Sequence, residues 1–232
     1  AVASERGLEA APSGSAPAID PAHLETLFRL PEEGTLERPP GFSLQDEGLE
    51  PWTPPRRNFW LAFGEAMIAQ LVPWVNNSFI RTNEDGGRGE PWSRNVGWAS
   101  WSNNYARSFE WDDNQFLNNQ FSHPYHGNLY YTAARTNGFD YYESMAFAFL
   151  QSWLWEYHGE TFRPAINDWF MTSIGGTTIG EMTYRISEKI TNNTGSGMSR
   201  TLGEIGGFLI SPIRGFDRGV KGQWGRHWAN SP

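Results

Sequence analysis

The fold is decided by one stretch of the sequence, residues 140–158, which read DYYESMAFAFLQSWLWEYH. Asp140 suits the N-cap position of a helix, and Glu143 three residues later completes a capping box. The rest of the stretch is apolar almost all round, so this helix lies either at the centre of a bundle or against lipid. A few polar side chains interrupt it and need hydrogen-bond partners once they are buried: Gln151, Ser152 and Glu156.

Helical patterns flank this stretch on both sides. Apolar periodicity over residues 58–76 predicts a helix that ends near Pro73. Pro164 suits the first turn of another helix over about residues 165–190, and a last helix is predicted over residues 199–210. Two of these helices carry closely spaced glycines that let a neighbouring helix approach: Gly175, Gly176 and Gly180, and Gly203, Gly206 and Gly207. The sequence therefore predicts a mainly α fold, a compact helical bundle with glycine-lined helix packing.

Two segments interrupt the helical pattern. Helical periodicity over residues 113–121 breaks at Pro124 and resumes over residues 127–135, which predicts a bend at which His123 and His126 both lie. Residues 77–111 combine a glycine-rich run with a mixture of Trp, Ser and Asn, which predicts a long aromatic loop. Three tryptophans anchor this loop: Trp92, Trp98 and Trp101. Long loops in compact domains often carry function or contact partners.

Composition divides the chain at residue 57. Residues 1–57 are rich in Ala, Pro, Gly, Ser and Glu and show little apolar periodicity. Such a segment buries too little surface to offset its conformational entropy, so we expect an extended arm that is disordered or wraps around a partner. Residues 58–232 are expected to form the helical domain.

Charge and composition exclude several classes of function. The chain has 26 acidic and 18 basic residues, a formal charge of −8, so it offers no basic surface for nucleic acid. It has no cysteine, which excludes disulfides, zinc ribbons and thiol catalysis. The glycines of residues 175–180 do not follow a strand and lack the Lys-Ser or Lys-Thr pair of a phosphate-binding loop. The absence of a Gly-x-Ser-x-Gly motif argues against a common serine hydrolase.

The sequence also suggests a location. It begins at Ala1 rather than Met, which predicts an exported protein from which a signal peptide has been removed. The 12 Trp, 15 Phe and 8 Tyr are many for this length, and aromatic rings are favoured where an apolar phase meets water. No window contains eighteen consecutive apolar residues, so we expect contact with a membrane surface rather than a conventional span.

The candidate site residues are histidines and carboxylates. His123 and His126 lie three residues apart across a proline, so both rings can face one point as metal ligands or as an acid and base pair. With one carboxylate they form a candidate divalent-metal set: His123, His126 and Glu156. Glu160, His158 or Asp168 could supply the remaining ligands of a set acceptable to zinc or iron. The candidate catalytic residues, with a histidine as base, Glu156 as acid and an aspartate orienting an imidazole, are His123, His126, Glu156, Glu160 and Asp168.

A structural role for these polar residues is the alternative. The histidines would then hydrogen-bond the aromatic loop and cap helix ends, and Glu156 would form an ion pair with Arg135 or Arg163 inside the bundle. The polar residues assigned to this structural cluster are Asn119, Arg135, Arg163 and Asn167. Glu181 and Arg185 are expected to pair along one helix face.

Three segments carry a resemblance to a known family: NQFSHPYHG at residues 119–127, YTAARTNG at 131–138, and Trp155-Glu156 followed by PAIND at 164–168. In order and spacing they resemble a bacterial envelope family catalogued as domain of unknown function 3943. The likeness extends over about residues 92–220. It implies an exported protein of a Gram-negative bacterium, periplasmic or associated with the outer membrane.

A second, weaker resemblance is to VanZ-like proteins. Their layout of an acidic residue, an Arg, an Asp and spaced glycines is similar to Glu156 or Glu160, Arg163, Asp168 and the glycines at 175, 176 and 180. Thr172 occupies the position where that pattern often has Asn.

Two functions follow from these patterns. The first is a cell-envelope scaffold or accessory subunit, which contacts a larger protein assembly and a membrane surface through residues 1–57 and the Trp92–Trp101 loop. The alternative is an envelope hydrolase or transferase, with a divalent metal as the candidate cofactor. Its substrate would be a lipid head group or another envelope component.

Overall fold

The computed structural model describes residues 53–80, 92–113, 116–192 and 197–226. Within these residues the chain forms eight α-helices: α1 Phe59–Val75, α2 Trp98–Ala106, α3 His123–Thr136, α4 Tyr141–Leu154, α5 Ile166–Phe170, α6 Gly176–Thr191, α7 Gly197–Ile210 and α8 Pro212–Val220. The mainly α-helical bundle predicted from the sequence is confirmed. Most of the expected N-terminal arm, residues 1–52, lies outside the described residues and stays a prediction.

Four wider π-helical turns extend or join these helices: Asn76–Ile80, Asn118–Ser122, Trp155–Gly159 and Met171–Gly175. The second leads into α3, the third continues α4, and the fourth joins α5 to α6 as one helix over residues 166–191. Such turns occur frequently at functional sites, because the extra residue re-aims side chains. Three of the four border the polar cluster described below.

The central helix is α3, which packs against α1, α4, α6 and α8 and most extensively against α6. Its contact with α6 depends on glycines, as predicted. A Cβ atom added to Gly127 would lie 1.7 Å from the Thr172 carbonyl oxygen, and one added to Gly176 would lie 2.4 Å from the Gly127 backbone. Farther along, a Cβ on Gly180 would lie 2.6 Å from the Tyr131 ring.

The interior of the bundle is unusually polar. Its apolar cluster consists largely of alanine and tyrosine, with Leu129 and Phe147 among the few larger aliphatic or phenyl groups. Many large apolar side chains lie instead on the outside, among them Trp60 and Ile68 of α1 and Leu202 and Leu209 of α7. No helix in the described residues is both long and apolar enough to cross a membrane.

Two local predictions differ from the structure. Pro124 does not interrupt the helix, because it lies in the first turn of α3 and the preceding π turn lets the His123 amide donate to Asn118 O. Within the predicted aromatic loop, Trp92–Asn95 form a 3₁₀ turn and α2 follows. Ser100 caps α2 by donating to Gly97 O and accepting from Gly97 N, a local signal that the sequence pattern did not reveal. Residues 81–91 of that loop lie outside the described part of the chain.

Candidate metal centre

His123 begins α3 and points into the bundle, where its side chain is buried. Its Nδ1 lies 3.0 Å from Thr172 Oγ1 in the π turn between α5 and α6. The ring is thereby held with Nε2 toward Asp168, 3.6 Å from its Oδ2 and 3.5 Å from Asn118 Nδ2. A separation of 3.6 Å is long for a direct hydrogen bond. It is close to the roughly 3–3.5 Å that separates two ligand atoms bound to one ion.

Two carboxylates complete this group. Glu156 lies in the π turn after α4, is fully buried, and accepts a hydrogen bond from the Ala165 amide at its Oε2, 2.8 Å away. Its Oε1 has no hydrogen-bond partner within the part of the chain that the structure describes. Asp168 lies in α5 and its Oδ1 accepts from Asn167 Nδ2 at 3.0 Å. One ligand atom each of His123, Glu156 and Asp168 lies within 4.8 Å of the other two.

A further carboxylate, that of Asp112, approaches from a distant part of the sequence. A short parallel backbone pairing brings it there, in which Glu110 N donates to Pro164 O and Ile166 N donates to Glu110 O. Asp112 N then donates to Asn167 Oδ1 at 2.9 Å, and Asn167 Nδ2 donates to Asp112 O at 2.9 Å. The start of α5 is thus fixed to the segment that carries Asp112.

Three carboxyl groups at the cluster have raised pKa values: those of Glu156, Glu160 and Asp168. Burial and then the charges of Glu160, Asp168 and Asp112 raise the pKa of Glu156 well above its ordinary value. Burial and the charges of Asp168 and Asp112 raise the pKa of Glu160 to about 8. Burial and the charge of Asp112 raise the pKa of Asp168 to about 7. The acids thus repel one another, and a bound cation would relieve this repulsion.

The two histidines are held uncharged. Burial and then the neighbouring His126 lower the pKa of His123 to about 4, against an opposing effect of Asp112. Burial lowers the pKa of His126 to about 4 as well. The neutral imidazole is the form that binds a metal ion.

Tyr130 lies one turn after His126 on α3 and stacks on its ring, with the ring centroids 5.8 Å apart. Burial and the charges of Glu156 and Glu160 raise the pKa of Tyr130, so the phenol keeps its proton beside the acids. Within the described residues the hydroxyl has no hydrogen-bond partner. The hydroxyl is therefore a hydrogen-bond donor available next to the cluster.

The structure brings together three of the five predicted catalytic residues, His123, Glu156 and Asp168. Glu160 lies close enough to raise the pKa of Glu156. The Glu160 side chain accepts a hydrogen bond from Trp155. His126 does not belong to the group of mutually close ligand atoms. The metal set predicted from the sequence contained His126, whereas the group in the structure contains Asp168 instead. The reason is the uninterrupted helix, which turns His126 toward Tyr130 and Trp155.

The four residues predicted to form one structural polar cluster divide between two regions. Asn119 and Asn167 both donate to Asp112 O, beside the candidate centre. The predicted ion pair of Glu156 with Arg135 or Arg163 is not what the structure shows. Arg135 pairs with Glu181 at 3.1 Å, and Arg163 pairs with Glu110 at 2.9 Å. The expected pair of Glu181 with Arg185 is present at 2.8 Å.

Three residues of the site were missed by the sequence analysis as functional groups: Thr172, Asp112 and Tyr130. Thr172 was noted only for its place in the VanZ-like pattern, and nothing in the sequence shows that its hydroxyl meets His123. Asp112 is 56 positions from Asp168, and the backbone pairing that joins them has no sequence motif. The spacing of Tyr130 four residues after His126 is the one available signal, because such residues share a helix face.

One imidazole and two carboxylates are a donor set that suits Zn²⁺, Fe²⁺ or Mn²⁺. The surrounding hydrogen bonds fit such a centre too. Thr172 holds the imidazole, Asn167 holds Asp168, and the Ala165 amide holds Glu156. Hydrogen-bond partners of this kind orient the metal ligands and increase the affinity of the site for its metal. Glu156 Oε1, which has no hydrogen-bond partner among the described residues, is the ligand atom that an ion would satisfy.

Comparison with known proteins gives one match. The model of the family described as "Domain of unknown function (DUF3943)" matches residues 108–213, a region that contains all three candidate ligands. No curated protein and no solved structure gave a significant match. The comparisons lend no support to the weaker resemblance to VanZ-like proteins. Residues 108–213 of the chain are thus similar to the DUF3943 family.

Proposed function

We propose that this protein is a metal-dependent hydrolase or transferase of the bacterial cell envelope that acts on a lipid head group or another envelope substrate. The observation that carries the proposal is the convergence of His123, Glu156 and Asp168, whose buried ligand atoms lie within 4.8 Å of one another. A divalent ion held there would polarise a substrate oxygen and supply an activated water.

A metal-ligand role explains the geometry of His123 better than a role as general base. One ring nitrogen is engaged by Thr172, and the other faces Asp168 and Asn118. A general base needs a nitrogen within hydrogen-bond reach of its substrate. Both nitrogens instead face protein groups, as expected when one ring nitrogen binds an ion and the other is held by a neighbouring hydroxyl.

The proposal is tested by release of head groups from bacterial envelope lipids presented in mixed micelles. The wild-type protein should lose activity on treatment with a chelator and regain it with Mn²⁺, Fe²⁺ or Zn²⁺. Asp168→Asn should reduce the rate at least about a hundredfold, because it removes a metal ligand. Glu143→Gln is the matched control, since it makes the same change on the surface of α4 and glutamine also suits the capping box. Activity that survives both chelation and Asp168→Asn would contradict the proposal.

A second candidate is the scaffold or accessory subunit, favoured by the apolar outer surface. Trp98 of the predicted contact loop is 81% exposed. Large apolar side chains also lie along the outer faces of α1 and α7: Trp60, Ile68, Leu71, Val72 and Val75, and Met198, Leu202, Ile205 and Leu209. Apolar surface of this extent usually marks contact with a partner or a membrane.

The two candidates differ in the particle that carries the protein. Extraction from its native envelope in mild detergent, followed by a mass measurement, should give a particle of about chain mass plus bound detergent if the protein acts as an independent enzyme. A large stoichiometric complex would support the accessory subunit. The proposed location, periplasmic or at the outer membrane, is tested by the fraction of the envelope in which the particle is found.

A further inference from the structure

A cleft of about 480 Å³ lies beside the candidate metal centre. We propose that it binds the alkyl or acyl chain of an amphiphilic molecule, with the polar end of that molecule placed at Asp112. The placement of the head group rests on the proposed function, whereas binding of the chain does not.

The walls of the cleft come from two segments that the Glu110–Ala165 pairing holds side by side. Their apolar members are Trp111, Phe116, Ile166, Phe170 and Met171. The Trp111 and Phe116 side chains are 72% and 70% exposed, so two large aromatic groups stand uncovered at a concave surface. Clefts of this size with mainly apolar walls are typical of sites for small ligands.

Three polar residues of the lining lie together beside the buried cluster: Asn119, Asn167 and Asp112. Both amide side chains donate to Asp112 O. Asn167 Nδ2 donates both to Asp112 O at 2.9 Å and to Asp168 Oδ1 at 3.0 Å, and Asp112 N donates to Asn167 Oδ1 at 2.9 Å. Asp112 thus borders both the cleft and the candidate centre. A ligand whose chain fills the cleft has its polar group at this boundary.

The lining indicates the chemical class of the ligand. The charged side chains along the cleft are Asp112 and Asp113, and its other polar groups are amides. Carboxylates disfavour an anionic head group in the absence of a bound cation. Without a bound cation the cleft therefore suits an amphiphile with an apolar chain and an uncharged or cationic polar end.

The test uses decyl maltoside below its micelle concentration as the probe, titrated calorimetrically into the full-length protein in the presence of a chelator. The wild-type protein should show one saturable site. Phe116→Asp should weaken binding by about tenfold or more, because it removes an aromatic wall and adds a negative charge.

Phe121→Asp is the matched control, because Phe121 lies on the same helical segment, is 64% exposed and does not line the cleft. It should bind the probe within about twofold of the wild-type affinity, a difference well below 1 kcal/mol. Absence of saturable binding to the wild-type protein, or equal affinity of all three proteins, would overturn the proposal. Because the titration is done without metal, a failure of the protein to bind decyl maltoside would not contradict the proposed metal centre. In the same way, a failure of the protein to bind metal would not contradict binding of decyl maltoside in the cleft.

Discussion

At the level of single residues, Thr172 is the side chain that most directly positions a candidate ligand. Its hydroxyl lies 3.0 Å from His123 Nδ1. Thr172→Val keeps the shape of the side chain and removes this hydrogen bond. We expect it to weaken metal binding about 10–100-fold, as loss of a partner of a ligand histidine commonly does. The affinity is measured by competition with a chromogenic chelator.

A purely structural role of Thr172 would give a different result. Thr172→Val would then lower the thermal midpoint without changing metal affinity in the folded protein. Thr172→Ser restores the hydroxyl and should return most of the affinity. Failure of the serine variant to do so would contradict a positioning role for this hydrogen bond.

Glu65 of α1 provides a second prediction at this scale. Its side chain is buried, and Asn137 Nδ2 donates to its Oε2 at 2.8 Å. Burial and the charge of Asp217 raise the pKa of Glu65 from 4.5 to about 8, although Lys221 opposes the shift. Between these two pH values the folded protein keeps a proton that the unfolded chain has lost. The free energy of unfolding therefore falls as pH rises, by up to about 1.4 kcal/mol per pH unit.

Glu65→Gln should remove this contribution, since glutamine imitates the protonated acid and can accept from Asn137 and donate to Asp217. Urea unfolding at pH 5, 6, 7 and 8 measures the difference in stability between the variant and the wild-type protein. That difference should shift in favour of the variant as pH rises. A constant difference across this range would show that Glu65 is ionised in the folded state.

At the level of elements, the close packing of α3 against α6 determines the position of His123 relative to Thr172 and Asp168. Gly127 is the closest point, where an added Cβ would meet the Thr172 carbonyl oxygen at 1.7 Å. Gly127→Ala should therefore destabilise the protein by at least the 1–3 kcal/mol or so typical of overpacking. Thermal or urea unfolding measures the change.

The matched control is Gly64→Ala in α1. An added Cβ at this position has no atom within 4 Å among the described residues. Because alanine favours helix over glycine, Gly64→Ala should stabilise the protein by about 0.5–1 kcal/mol. Equal effects of the two alanine substitutions would contradict the close contact between α3 and α6.

The elements show which features of the fold can be predicted from sequence. The start of α4 follows from local chemistry, because Asp140 and Glu143 form the expected reciprocal hydrogen bonds. The close packing of α6 against another helix was also predictable, because the small size of its glycines alone lets a neighbouring helix approach. The continuity of the helix at Pro124 was not predictable from local sequence, because it depends on the π turn that precedes the proline.

The candidate site was predicted only in part. The assignment of histidine and carboxylate residues to a functional site stays a prediction, whereas the expected burial of Glu156 is observed. The choice between His126 and Asp168 as the third ligand depends on helix continuity and on where α5 begins. Tertiary contacts decide both, among them the pairing of Glu110 with Pro164 and Ile166.

At the level of the whole molecule, polar groups lie inside and large apolar groups lie outside to an unusual degree. Among the residues that the structure describes, buried charged or acidic side chains form groups, three of which illustrate this arrangement. The candidate metal centre is one, the group of Glu65, Asp217 and Lys221 is another, and Arg200, Glu204 and Arg218 form the third. In the third group Glu204 accepts from both arginines, and in the second the Lys221 ammonium lies 2.8 Å from Asp217.

The candidate metal centre differs from the other two groups in the charges that surround its carboxylates. In each of the other two groups a basic side chain contacts a carboxylate directly: Arg200 and Arg218 contact Glu204, and Lys221 contacts Asp217. At the candidate centre, the neighbouring charges that raise the pKa values of Glu156, Glu160 and Asp168 belong to other carboxylates. A buried acidic group of this kind is balanced either by protons or by a cation, and the imidazole of His123 favours a divalent metal.

The most direct test is the metal content of the purified protein. The chain is incubated with Mn²⁺, Fe²⁺ or Zn²⁺, freed of unbound metal by gel filtration, and analysed by inductively coupled plasma mass spectrometry. We predict one ion per chain for the wild-type protein and for His126→Ala, and loss of that ion in His123→Ala and Asp168→Asn. A wild-type protein that binds none of the three metals, or binding that survives in both ligand variants, would contradict the account.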